Sequence, residues 1–362
     1  MPRLERLAES LPDRQPPATA LPRYLCIAYV LLVTYASLHP FSGWRDPGLP
    51  VLTFLQAPWP RYWTVFDLVV NVLAYLPLGF LLTLTLRGIS GRWLAAFASL
   101  LLGVLLSFTL ESIQTWLPSR VASNVDLACN SLGCGLGVLL ALRQDARLFE
   151  RIARLQQYLL APKPHAEAGL VLLGLWLLIQ LSPETQLFGA GNLRPLLELT
   201  PAVPFAARSF FVIETAITVC NMIAVGLMAR TLMANRGSPG LVIAAFFVAA
   251  LIVRTLAAAI LVAPADAFAW LTPGARLGLL VGGSLLALML LLPAGLRVAL
   301  AGLLLMAATV LVNLAPSNPY SAVALTAWRQ GHFLNFNGLT RLTASFWPFI
   351  ALPYLTILAR RL

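Results

Sequence analysis

Charge is what this chain has least of. Of its 362 residues, 11% are Asp, Glu, Lys or Arg and 59% are hydrophobic, whereas soluble domains carry about 25% charged residues. No soluble core of this length needs so many long apolar runs, so the composition indicates an integral membrane protein. Acidic residues are the scarcer kind, 14 against 25 Lys and Arg, which leaves a net charge of +11. In a soluble chain that excess would suggest nucleic acid as a partner. Here no soluble segment clusters basic residues with interleaved aromatics, so no nucleic-acid partner is expected. The arginines are instead read as loop residues that obey the positive-inside rule and meet anionic lipid heads. The four cysteines, Cys26, Cys129, Cys134 and Cys220, lie within apolar stretches and form no CxxC, so neither a disulfide framework nor a thiolate metal site is indicated. The three histidines, His39, His165 and His332, are far apart and have no HExxH spacing. No metal or cofactor is expected. Residues 1–22 are polar and lack the short apolar core of a cleavable signal peptide. The first hydrophobic stretch is therefore expected to stay as a membrane helix. There is no internal repeat and no low-complexity tract.

What is present is a series of apolar runs. A spanning helix needs about 20 mainly apolar residues, and runs fitting that length lie at 23–39, 67–86, 93–114, 126–142, 166–181, 208–230, 240–262, 275–292, 294–314 and 341–359. The fifth is short, and Pro293-Ala294-Gly295 forces a tight turn between the eighth and ninth. The expected fold is an all-α polytopic transmembrane bundle of about ten spanning helices. With the N-terminus inside, sixteen basic residues fall on inner segments and eight on outer ones; only Arg254 falls within a span. That bias predicts both termini in the cytoplasm, as in a multi-pass protein of the cell inner (cytoplasmic) membrane. The expected organisation is a polar N-terminal segment 1–22, a four-helix membrane domain 23–142, a basic cytoplasmic loop 143–165 and a six-helix membrane domain 166–362. Trp59, Trp63 and Trp328, in the outer loops, suit a membrane–water interface.

Polar residues gather in the first half. Asp67 and Asn71, four apart, share a face of the second span. Glu111 and Gln114 close the third, Asp126 and Asn130 open the fourth, and Arg120 lies in the turn between. The topology puts all seven at one depth near the outer face. Each has a structural alternative. Thr64 and Ser123 stand three residues before Asp67 and Asp126, as in capping boxes. Asn71 and Asn130 are candidates for interhelical glue, and Gly133, Gly135 and Gly137 for close helix approach. Pro77-Leu78-Gly79 suggests a kink. Glu111 differs, because the helix macrodipole disfavours negative charge at a C-terminal end. It calls for a positive partner, a shared proton or an aqueous pocket, and Arg120 is the expected partner. Three acids against Arg120 and Arg61 would leave the pocket acidic. One carboxyl could then hold a proton, or an amine or cation could bind.

In the second half, Glu214 and Arg254 fall at depths compatible with a buried ion pair of structural role, with Asn221 on the same helix face as Glu214. Trp328–Leu342 reads as amphipathic and amide-rich, suited to an interface anchor or to a cover over the first-half pocket.

The segments DLVVNVLAYLPLGF at 67–80, ESIQTWLPSR at 111–120 and NVDLACNSLGCGLG at 124–137 together resemble, in order, the pattern of the VanZ-like family of bacterial membrane proteins. The FLNFNGL…WPF stretch resembles the tail of its longer members. The resemblance implies kinship with a protein associated with low-level teicoplanin resistance, and it singles out Asp67, Asn71, Glu111, Gln114, Arg120, Asp126 and Asn130. It supplies no mechanism. Three functions follow as expectations. The first is binding of an amphiphilic envelope molecule, such as a lipid-linked precursor or a lipoglycopeptide, beside membrane lipid. The second is a membrane enzyme acting on a lipid-linked glycan or phosphate, with Glu111 as acid or base. The third is a transporter, which would favour mid-membrane polar sites and repeats.

Overall fold

The computed structural model describes residues 20–48, 50–59, 65–143, 160–161, 165–182, 185–197, 199–234, 238–261, 263–316 and 334–360. Within them every expected apolar run is helical, because backbone groups in an apolar surrounding must pair within their own segment. The helices are α1 (Leu21–Leu38), α2 (Thr53–Gln56), α3 (Val65–Arg87), α4 (Arg92–Gln114), α5 (Asn124–Arg143), α6 (Ala166–Ile179), α7 (Arg194–Leu197), α8 (Ala207–Leu232), α9 (Pro239–Leu261), α10 (Pro273–Met289), α11 (Ala294–Leu314) and α12 (Leu334–Ala359). No strand occurs among the described residues; Leu160 and Met233 form one isolated bridge. Eight helices are long and apolar enough to cross a membrane, and α6 and α10 are shorter apolar helices. The turn between α10 and α11 is tight, as Pro293 requires, and leaves four residues between them.

Two expectations are modified. α3 runs unbroken through Pro77. α12 begins at Leu334, so the later part of the Trp328–Leu342 segment is the start of a helix. By its internal packing the chain groups into two compact units. The first comprises residues 1–30, 50–112 and 122–149, while residues 31–49 and 113–121 group with 150–362. The N-terminal segment up to residue 19, Arg61, Trp63, Thr64, Trp328 and most of the basic loop lie outside the described residues.

In the first unit α3 and α5 run parallel in close contact. A Cβ on Gly133 would collide with the Val72 carbonyl, and one on Gly137 with that of Leu76. This is the small-residue seam by which membrane helices approach without a hydrophobic driving force. α4 runs antiparallel to α5: Asn130 Nδ2 donates to Ser107 Oγ at 2.9 Å, and Cys134 Sγ approaches Ser99 O at 3.7 Å.

The second unit is built on α8, which buries fourteen of its 26 residues. It packs against α6, α9, α10 and α11, and α12 packs against α6 and α11. Trp176 stacks on Phe188 (5.2 Å between centroids), Phe246 (5.5 Å) and Phe247 (5.8 Å) at the centre of the core.

Candidate functional site

The parallel register of α3 and α5 brings their N-termini to one end of the first unit, together with the end of the antiparallel α4. Five of the seven expected residues lie there. Asn71 Nδ2 donates to Asp126 Oδ1 at 2.8 Å. Asp67 is exposed one turn before Asn71 on the same helix face. Asn130, a turn beyond Asp126, bonds Ser107 on α4 and leaves its own Oδ1 buried without a partner.

Glu111 is buried, and its Oε2 accepts the Ser123 backbone N–H at 2.9 Å. Ser123 precedes α5, and its Oγ accepts from the N–H groups of Val125 (3.2 Å) and Asp126 (3.3 Å). The capping expectation for Ser123 is thus half realised. In a capping box the third residue's carboxylate would reach back to the cap's N–H. Here Glu111 of another helix takes that donor, which leaves the Asp126 carboxylate to accept from Asn71. The same contact explains how Glu111 tolerates a C-terminal helix position. It sits against the N-terminal end of α5, where the macrodipole favours negative charge. The Ser123 amide was not among the partners expected for Glu111.

Gln114 and Arg120 group with the second unit, at the end of α1. Gln114 Nε2 donates to Ser37 O at 2.9 Å; Arg120 donates from Nε to His39 O at 3.0 Å and from Nη2 to Ala36 O at 2.9 Å. A helix leaves its last carbonyls without intrahelical donors, and these two side chains supply three. A cation there also suits the negative pole of the helix. Tyr35 and His39, which the sequence reading did not single out, belong to the same cluster. The Tyr35 hydroxyl is 3.0 Å from His39 Nδ1, and a Cβ on Gly338 of α12 would come within 2.7 Å of the imidazole. Burial lowers the His39 pKa, and the positive charges of Arg341 and Arg120 lower it further.

Among the described residues no group of three or more His, Cys, Asp or Glu is placed to hold a metal ion. What the first unit offers is two carboxylates at adjoining helix ends, one of them exposed, with an amide between the helices. Neighbouring carboxylates are eased by a positively charged neighbour or by a shared proton. Residues 23–149 match the VanZ/LLP1 family model, so this part of the chain is a VanZ-like domain. No curated protein and no solved structure matches the chain.

Proposed function

We propose that the VanZ-like domain of this membrane protein binds an amphiphilic cell-envelope molecule through a positively charged group. An amine-bearing lipid-linked precursor or a lipoglycopeptide of the teicoplanin type has that chemistry. The observation that carries the reading is the Asn71–Asp126 hydrogen bond at 2.8 Å across the ends of α3 and α5, with Asp67 exposed one turn before Asn71. It concentrates negative charge at the ends of helices whose flanks are apolar and exposed, including Val65, Val69, Val70 and Leu73. An ammonium group neutralises that charge while an acyl chain lies along those flanks. The arginine distribution supports an outward-facing site in the inner membrane with both termini in the cytoplasm.

Binding is measured with the full chain in nanodiscs, using labelled teicoplanin, N-acetylated teicoplanin and lipid-linked glycan precursors. Asp67→Asn and Asp126→Asn are each expected to weaken binding about tenfold, about 1.4 kcal/mol. Acetylating the ligand amine should cost as much in the native protein and little in the double variant. Equal binding of the acetylated and free amines would refute the reading. Product formation from a lipid-linked precursor that Glu111→Gln abolishes would replace binding with catalysis.

A further inference from the structure

The second unit holds polar chemistry that the VanZ-like domain does not use. α6 has 14 residues, about 21 Å at 1.5 Å per residue, well short of a hydrocarbon core of about 30 Å. Beyond Ile179 no described residue is helical again until Arg194, yet Ser182, Leu187, Phe188 and Ala190 are all buried. Irregular backbone within a membrane bundle is tolerated only where protein or water satisfies its polar groups. Protein does so at the later end. Asn313 of α11 donates from Nδ2 to Gly191 O at 2.7 Å and accepts from Leu193 N at 2.9 Å. Gly191 N donates to Ala344 O at 2.7 Å, and Ser345 Oγ to Asn192 O at 2.7 Å.

Arg254 meets the earlier part of the segment, and Glu214 stands one turn before Thr218, which approaches the segment. Glu214 stands seven residues into α8 and Arg254 seven before the end of α9, so each is about 10 Å along its helix from the same side of this consecutive pair. They are 2% and 4% exposed. The expected direct ion pair is replaced by separate partners. Thr272 Oγ1 donates to Glu214 Oε2 at 2.6 Å while it caps α10 by accepting from Ala275 N. Arg254 donates from Nη1 to Thr185 Oγ1 at 3.1 Å and from Nη2 to the Thr185 carbonyl. Four buried polar atoms on these elements have no hydrogen-bond partner: Gln180 Oε1, Ser182 Oγ, Asn221 Oδ1 and Arg254 Nε. Thr218 and Asn221 continue the Glu214 face of α8, and Thr218 Oγ1 lies 3.5 Å from Leu187 O on the segment. The orphaned set mixes acceptors with a donor. A metal cation would serve the oxygens and be repelled by the guanidinium; water, donor and acceptor at once, serves all of them.

We propose that this second unit contains an internal hydrated site in which Glu214 binds and releases a proton. The exchange is a transfer from hydronium to carboxylate, giving the neutral acid and water, with no other bond changed. Among the described residues, Arg254 is the one charged group that the helices packed on α8 present near Glu214. Arg276 of α10 is turned to Leu271 O. Glu167 and Arg297 lie in the first turns of α6 and α11, away from the segment. On α8 itself Arg208 and Cys220 stand six residues before and after Glu214, and Glu184 lies outside the described residues.

Difference infrared spectroscopy of the full chain in nanodiscs, titrated in H2O and D2O, tests this. The native protein should show a protonated-carboxyl band that grows as pH falls, shifts promptly in D2O, and is lost in Glu214→Gln. Thr272→Val removes a bond to the ionised form, so it should move the midpoint of that band to higher pH. It also supplies the readout if Glu214→Gln does not fold. A titrating band set that is unchanged in both variants, or a Glu214 band inert to D2O, overturns the proposal.

Discussion

The two units handle polar side chains in opposite ways. In the first, the acids and amides lie at helix ends, and their bonds run between neighbouring helices that a glycine seam has already brought together. In the second, Glu214, Arg254 and Asn221 lie well inside the bundle, and Arg254 meets an irregular segment that must itself be satisfied. The difference separates two sources of precision. The first site inherits its geometry from backbone approach and helix register. The second depends on side chains that hold a non-helical strand of chain in place. Damage to the seam should therefore move every contact of the first site together, whereas damage to the second should release one segment.

The largest effect is expected at the seam. Gly137→Leu places a side chain against the Leu76 carbonyl and the Phe80 amide. Overpacking of this kind costs about 1–3 kcal/mol and often more where backbone blocks relief. Thermal unfolding in detergent should show the loss. Gly135, whose Cβ position meets only Leu100 Cδ1 at 3.8 Å, should accept alanine with almost no change. Equal loss in both would mean that close approach at Gly137 does not govern the unit, since helix propensity alone favours alanine and leucine over glycine. The second largest effect belongs to Asn313→Ala, which removes the amide that both donates to Gly191 O and accepts from Leu193 N. A buried donor or acceptor left unmade costs about 1–3 kcal/mol. Hydrogen exchange should rise across residues 185–193 and stay unchanged at α3 and α5; exchange rising in both places would contradict the separate origins of the two sites.

This contrast also explains what could be read without coordinates. The ten apolar runs announce ten helices, because length and hydropathy alone decide whether a segment can satisfy its backbone in lipid. Asp67, Asn71, Asp126 and Asn130 were legible because four-residue spacing and shared depth follow from helix geometry. The Ser123 amide that bonds Glu111 was not, because a backbone amide carries no residue signature. Gln114 and Arg120 were visible as polar residues beside a span, but their acceptors are the Ser37, His39 and Ala36 carbonyls, which any sequence would supply. The clamp on residues 185–193 was hidden more deeply. Asn313 and Gly191 are 122 positions apart, and nothing local marks their meeting. Glu214 and Arg254 were recognised as buried charges, but a direct pair is the simplest guess, and hydroxyls of Thr272 and Thr185 intervene.

A smaller change tests the helix-end site alone. Asn71→Ala removes a half-buried hydrogen bond to a carboxylate, worth about 1–2 kcal/mol. It should lower unfolding stability by no more than that. Asn71→Asp should cost more, since it sets a third carboxylate beside Asp67 and Asp126, and that excess should shrink at high salt if the helix ends face water. An excess insensitive to salt would place the acids in an interior that salt does not screen and align the first unit with the second.

The smallest effect concerns His39, at the end of α1, where burial and then the charges of Arg341 and Arg120 lower the pKa from its ordinary 6.5. Between the lowered value and 6.5 the unfolded chain holds a proton that the folded chain does not. Stability is therefore fully present above about 6.5 and falls as pH drops through that window. His39→Asn should remove this part of the acid slope. Arg341→Gln should remove only some of it, because burial is the larger cause. The Tyr35 hydroxyl beside Nδ1 gives a further readout: Tyr35→Phe deletes the contact but leaves the repelling arginines, so the slope should persist. A slope that survives His39→Asn intact must come from carboxylates, and the acidic helix ends of the first unit would then be the place to look for it.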